Sequence, residues 1–161
     1  MFKLRGHFSI QHFRKGKLLD TYEIDNGIVT VGFNKLLDIM FNAAIQINMW
    51  YMGLIDNVGF TGLATTDIMG AHAGWTELIT YTQANRPALN TGTLASAQTL
   101  VASSVTIFTI NSTQNVKGVF IVNDNTKAGT AGLLWCTALL DSVKPVANGD
   151  SFKILYTLSV A

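Results

Sequence analysis

The stretch "HAGWTELITYTQANRP", residues 72–87, gathers His72, Glu77 and Arg86 around Trp75 and Tyr81 in a chain with only 13% charged residues. With Asp67 just upstream, Asp67, His72 and Glu77 are of the right types to ligate a metal. A jelly-roll metal site characteristically supplies a His-x-His pair followed by Glu and a later His. Here the other two histidines, His7 and His12, lie far away in the opening segment, so no metal ion is expected. A serine nucleophile would sit in a strained elbow such as G-x-S-x-G, which is absent. There is no Walker A run and no G-x-G-x-x-G, and the ten acidic residues are scattered rather than paired. The expectation is a protein that is not an enzyme and needs no cofactor.

If residues 75–82 form a strand, alternation puts Trp75, Glu77, Ile79 and Tyr81 on one face and Thr76, Leu78, Thr80 and Thr82 on the other. A carboxylate sharing a face with two aromatics needs a partner, and Arg86 is the nearest cation in sequence. Glu77 and Arg86 are therefore expected to form a partly buried pair fixing the strand and the loop after it, with Pro87 stiffening the exit. The alternative is that Arg86 reaches a neighbouring subunit. Trp50, Trp75 and Trp135 have the chemistry to stack on sugar rings, but each lies in an apolar context ("NMWYM", "GWTEL", "LLWCT") that favours packing or a subunit contact. The single cysteine, Cys136 in "LLWCTALL", reads as an inert core thiol.

Net charge is +1, yet Lys3, Arg5, Arg14, Lys15 and Lys17 all precede the first acid, Asp20. Such a cluster suits a solvated edge that resists aggregation, or a docking patch for an acidic partner. Nucleic acid is not expected, because the patch has no continuation and no recognition motif accompanies it. No apolar run approaches the roughly 18 residues that span a bilayer, and "MFKLRGHFSIQHF" lacks the pattern of a cleaved leader, so neither a membrane nor a secretory role is expected.

The elements that position these residues are mostly strands. The 161 residues suit a single domain. "GHFSIQHF" and "KLLDTYEI" flank "RKGK", predicting an opening basic β-hairpin at about residues 6–25, with Phe8, Ile10 and His12 on one face. Phe33, Leu36, Leu37, Met40 and Phe41 follow helical spacing, which predicts one short amphipathic helix near residues 32–44 with Asn34, Lys35, Asp38 and Asn42 opposite. "INMWYMGLID", "WTELITYT", "SVTIFTI", "KGVFIVN", "GLLWCTALL" and "DSFKILYTLSVA" read as further strands, the last preceded by the turn signal Asn148-Gly149. "NTGTLASAQTLVASS" reads as an exposed loop or arm. The fold class is mainly β: a β-sandwich or jelly roll of about seven or eight strands, in one domain over residues 1–161.

The series "GKLLDTYEIDNGIVTVGFNKLLDIMF", "MWYMGLIDNVGFTGLATTDIMGAHAGWTELITYTQANRPAL", "VKGVFIVNDNTKAGTAGLLWCTAL" and "VANGDSFKILYTLSVA" resembles small virion structural proteins of tailed bacteriophages over nearly the whole chain. The most specific parts are the "GLID" strand end followed by "HAGWTE", Tyr81 and "NRP", and the closing "NGD" strand with Tyr156. The resemblance implies a capsid decoration (cement) protein, made in the host cytoplasm and bound to the virion's capsid exterior. Its implied partners are the major capsid protein and further copies of itself, as a homotrimer. A chain with few charges suits this, since it can bury polar contacts without desolvating ions. The basic hairpin would be the capsid-facing patch. The runner-up is a tail or fibre module that binds host carbohydrate through exposed tryptophans.

Overall fold

In "HFSIQHF" Phe8, Ile10 and His12 fall on alternate positions, and the computed structural model, which describes residues 3–92 and 98–160, turns that face inward. Strand β1 (Leu4–Arg14) buries Phe8, Ile10 and His12 and pairs with β2 (Lys17–Asp25). The connection is a two-residue turn in which Lys15 and Gly16 both have positive φ, 50° and 76°. That backbone matches the twist of paired strands, and glycine at the second position makes it accessible.

The remaining elements in chain order are β3 (Gly27–Ile28), α1 (Thr30–Phe41), β4 (Trp50–Asp56), β5 (Glu77–Leu78), β6 (Ala88–Leu89), β7 (Thr99–Val101), β8 (Thr106–Thr109), β9 (Gln114–Val122), β10 (Leu134–Val146) and β11 (Ser151–Val160). They form two antiparallel sheets. The first runs β2-β1-β11-β7, with β8 also on β11; the second runs β3-β10-β9-β4-β5, with β6 also on β4. Facing side chains, among them Phe8, Ile10, Phe108 and Ile154 from the first sheet and Met52, Leu54, Val119 and Cys136 from the second, make the core. This is the mainly β, two-sheet sandwich expected, divided among eleven strands because four of the described ones are only two or three residues long.

The second sheet is buried on both faces, which explains why "GVFIV" in β9 and "LWCTA" in β10 are nearly continuous apolar runs. Its outer face carries Ile55, Phe120, Val122 and Leu134 and is covered by the long connection 57–76, which contributes Met69 and Trp75. Gly53 makes this possible: it pairs directly with Phe120 across the strands, and a Cβ there would overlap the Phe120 ring. Trp75 is held over that face by its Nε1–H, which donates to Asp67 Oδ2 at 2.9 Å.

Two expectations are corrected. Residues 75–82 are not one alternating strand: only Glu77–Leu78 pair with β4, and the chain then bends, Tyr81 N–H donating to the Ile79 carbonyl. Leu78 is consequently buried and Ile79 exposed, the reverse of the simple alternation, while Trp75 and Tyr81 are both buried. The helix also sits differently from its apolar stripe. Phe33, Leu37, Met40 and Phe41 point to solvent, and the side carrying Gly32, Lys35, Leu36 and Ile39 faces the body. Gly32 sets this orientation, because a Cβ there would lie 2.7 Å from the Trp135 carbonyl oxygen. Of the segment expected to be a loop or arm, residues 93–97 lie outside the described residues, and Thr99–Val101 form β7 on β11.

Candidate functional site

The basic residues of the opening hairpin do not converge. Lys3 and Arg5 lie at one end of β1 and Lys15 and Lys17 at the other, ten residues or about 33 Å apart at strand rise. The acids Asp20, Glu23 and Asp25 are exposed along β2 beside them. Arg14 has a structural partner instead, its Nε and Nη2 donating to the two oxygens of Asp150, both at 2.8 Å. Asp150, fully buried, also accepts from the Ala147 N–H and lies 2.9 Å from His12 Nε2. The Arg14 hydrogen bonds hold its carboxyl well below the usual aspartate range, against the opposing pull of burial. The result is a clasp between the end of the hairpin and the Asn148-Gly149 turn.

Glu77 and Arg86 are brought together. Arg86 Nε donates to Glu77 Oε1 at 3.1 Å and Nη2 to Oε2 at 2.9 Å, and the Arg86 side chain has no exposed surface. The other guanidinium donors reach the carbonyls of Asp124 and Gly129, at 3.0 and 2.7 Å. Glu77 takes further hydrogen bonds from the Ala128 N–H and the Tyr81 hydroxyl. The guanidinium carbon lies 5.3 Å from the centre of the Phe120 ring, a cation–π distance. The pair thus fastens the loop 124–129, far away in sequence, to residues 77–86. Lys127 closes its rim, donating to the Tyr81 carbonyl from above the Tyr81 ring.

The other candidate groups are committed to packing. His72 stacks on Trp75 with ring centres 3.9 Å apart, its Nδ1 2.9 Å from the Trp75 carbonyl, while Asp67 serves Trp75 and the Ala64 N–H. Asp67, His72 and Glu77 therefore do not converge. No indole is exposed: Trp75 and Trp135 are buried and Trp50 is half-buried, touching Trp135. Cys136 is fully enclosed, and burial pushes its thiol up to about 12.

The surface that sequence reasoning missed is the outward side of α1 and the segment after it. Phe41 is 74% exposed and Ile45 86%, with Phe33, Leu37, Met40 and Met49 exposed beside them in sequence. The signal was present: Gly32 and Ile39 extend the apolar stripe on the side of Leu36, and a helix with so wide an apolar face has more apolar surface than one core contact covers. Such patches mark contacts with other molecules. Asn42 and Ala44 N–H both donate to the Asp38 carbonyl, and Ala43 takes a positive φ of 54°, so a defined C-terminal cap turns the chain at the end of this face.

Among the described residues no helix is long and apolar enough to cross a membrane, and no group of three or more His, Cys, Asp or Glu side chains is placed to hold a metal ion. No protein-family model matches the chain, and no curated protein is significantly similar to it.

Proposed function

We propose that this chain is a non-enzymatic structural subunit, a decoration protein of a tailed-phage capsid that docks through the outward face of α1. The observation that carries the reading is the row of exposed apolar side chains at Phe33, Leu37, Met40, Phe41, Ile45 and Met49, on the side of α1 turned away from the sandwich core and on the segment after it. A surface of this kind stabilises the free subunit little and gains by burial against another protein. The low charge of the chain and its resemblance to small virion proteins support the same reading. Docking is assigned to α1 rather than to the opening hairpin, because the hairpin's cations are split between two ends and Arg14 is engaged by Asp150. The partners are the major capsid protein and further copies of the chain, arranged as a homotrimer on the capsid exterior.

The test is binding to capsid shells stripped of the protein, with the mass of the free protein measured alongside. Saturable binding by a trimer that raises the shells' melting temperature supports the proposal. Met40→Glu and Phe41→Glu are expected to weaken that binding at least tenfold with little change in the subunit's own melting temperature. Binding unaffected by both substitutions would remove α1 as the docking face, and absence of binding to any shell would remove the decoration role.

A further inference from the structure

Under the inward side of α1, the two sheets part to leave a cavity of about 290 Å³. Its walls are apolar: Leu36 and Ile39 from the helix, Trp50, Ile121 and Trp135 from the second sheet, and Leu158 from the first. The polar groups of Trp135 and Tyr156, which both line it, satisfy each other, since Trp135 Nε1–H donates to the Tyr156 hydroxyl at 3.0 Å. Lys35 is the single charged residue among those lining it, and among the described residues it has no ion-pair partner. Gln46, from the segment after the helix, is a second polar lining group, and Lys35 and Gln46 also line an adjoining open depression.

This is the arrangement of a small-ligand site rather than of a protein contact. Its volume stands just below the roughly 300–1,000 Å³ typical of ligand pockets, and it combines apolar walls with a few polar lining groups, of which Lys35 is the charged one. Phe33, Leu37, Met40 and Phe41 of α1 take no part in lining it, whereas Ile45 and Met49 line the adjoining depression. We propose that the cavity binds a medium-chain aliphatic monocarboxylate. The alkyl chain lies between the sheets against Trp50 and Trp135, and the carboxylate pairs with Lys35. The volume sets the chain length and the unpaired ammonium sets the sign of the head group.

Octanoate is the probe. Titration into the purified protein, followed by tryptophan fluorescence and calorimetry, is expected to saturate with one site per chain. Affinity is expected to rise roughly fourfold per methylene from hexanoate to octanoate, as burial of each group requires, and to stop rising once the cavity is full. Lys35→Met is expected to remove a preference of a few-fold for octanoate over octanol, as loss of a partly exposed ion pair implies. Leu158→Trp, which puts a bulkier side chain into the cavity, is expected to weaken binding, with a thermal melt verifying that the variant is folded. Phe41→Glu, on the opposite side of the helix, is expected to leave binding unchanged. No saturable binding of octanoate would overturn the proposal, as would binding that Phe41→Glu removes, which would place the fatty chain on the outer face. Equal affinity for octanoate and octanol would overturn the assignment of Lys35.

Discussion

Arg86 and Glu77 meet through two parallel N–H···O contacts, 3.1 and 2.9 Å, where neither the guanidinium nor its partner loop could be held by apolar packing alone. A buried arginine left without its carboxylate keeps its charge and its desolvation cost. Glu77→Ala and Arg86→Ala are each expected to lower stability by about 3–5 kcal/mol. Arg86→Lys should fall between wild type and alanine, because an ammonium keeps the charge without the two-point geometry. Urea denaturation of the isolated subunit measures this, and an Arg86→Ala subunit as stable as wild type would show that the pair does not secure loop 124–129.

Asp150 sets the acid limit of the clasp between the hairpin and the Asn148-Gly149 turn. Its carboxyl binds its proton more weakly in the folded chain than in the unfolded one, chiefly through Arg14. Its contribution is therefore present above the unfolded value of about 3.9 and is lost as pH falls toward the lower folded value. Asp150→Asn is expected to be less stable than wild type at pH 7, with the gap narrowing below about pH 4. Denaturant midpoints collected across the neutral to strongly acidic range give the comparison; a gap independent of pH would assign the loss to packing instead.

His7 has the opposite sign. On the outer face of the hairpin its Nδ1 lies 2.8 Å from Asp25 Oδ1 and its Nε2 2.7 Å from Glu23 Oε2. The hydrogen bond with Asp25, then that with Glu23, raises its pKa above 6.5 despite partial burial. The stability it adds is complete below about 6.5 and disappears as pH rises through the folded value. An NMR titration should place the His7 midpoint above that of a model histidine, and Asp25→Asn should bring it down. Being an exposed pair, it should change overall stability by less than about 1 kcal/mol.

Cys136 should be a reporter of unfolding. Enclosed between the sheets, with a thiol pushed up to about 12, it has neither access nor thiolate in mildly alkaline buffer. Labelling by a thiol reagent in native buffer is expected to proceed only at the rate of global opening and to become immediate in denaturant. Rapid native labelling would mean that β9 and β10 separate locally.

The sandwich was legible where one face of a segment meets one partner. Phe8, Ile10 and His12 alternate in sequence and are buried together, and Phe152, Ile154 and Tyr156 do the same. The reading fails where more than one partner competes. The stripe through Phe33 and Leu37 has the spacing of a core-facing side, but the close approach at Gly32 turns α1 the other way. Residues 75–82 carry a strand's alternation yet follow two demands, the cover that Trp75 gives Phe120 and the tie between Thr82 and Thr109, so pairing stops after Leu78. The Glu77–Arg86 contact was visible as a need for charge balance. Loop 124–129, which completes it, was not, because carbonyls leave no mark in side-chain sequence. The basic hairpin looked like one patch when its cations were counted by residue order, although the predicted strand "GHFSIQHF" already sets Arg5 and Lys15 at opposite ends.

The pairing of β1 with β11, in register from Leu4↔Val160 to Phe13↔Ser151, has a consequence for how the molecule is made. β1, the first of the described strands, finds its central neighbour 138 to 156 positions later (Phe13↔Ser151 to Leu4↔Val160), so the first sheet has no middle until β11 has been made. Until then the edge of β1 that β11 will occupy has no strand on it, and closing so long a loop is slow. The first sheet is thus completed late, and until β11 arrives the open edge of β1 is a place where a neighbouring chain can pair.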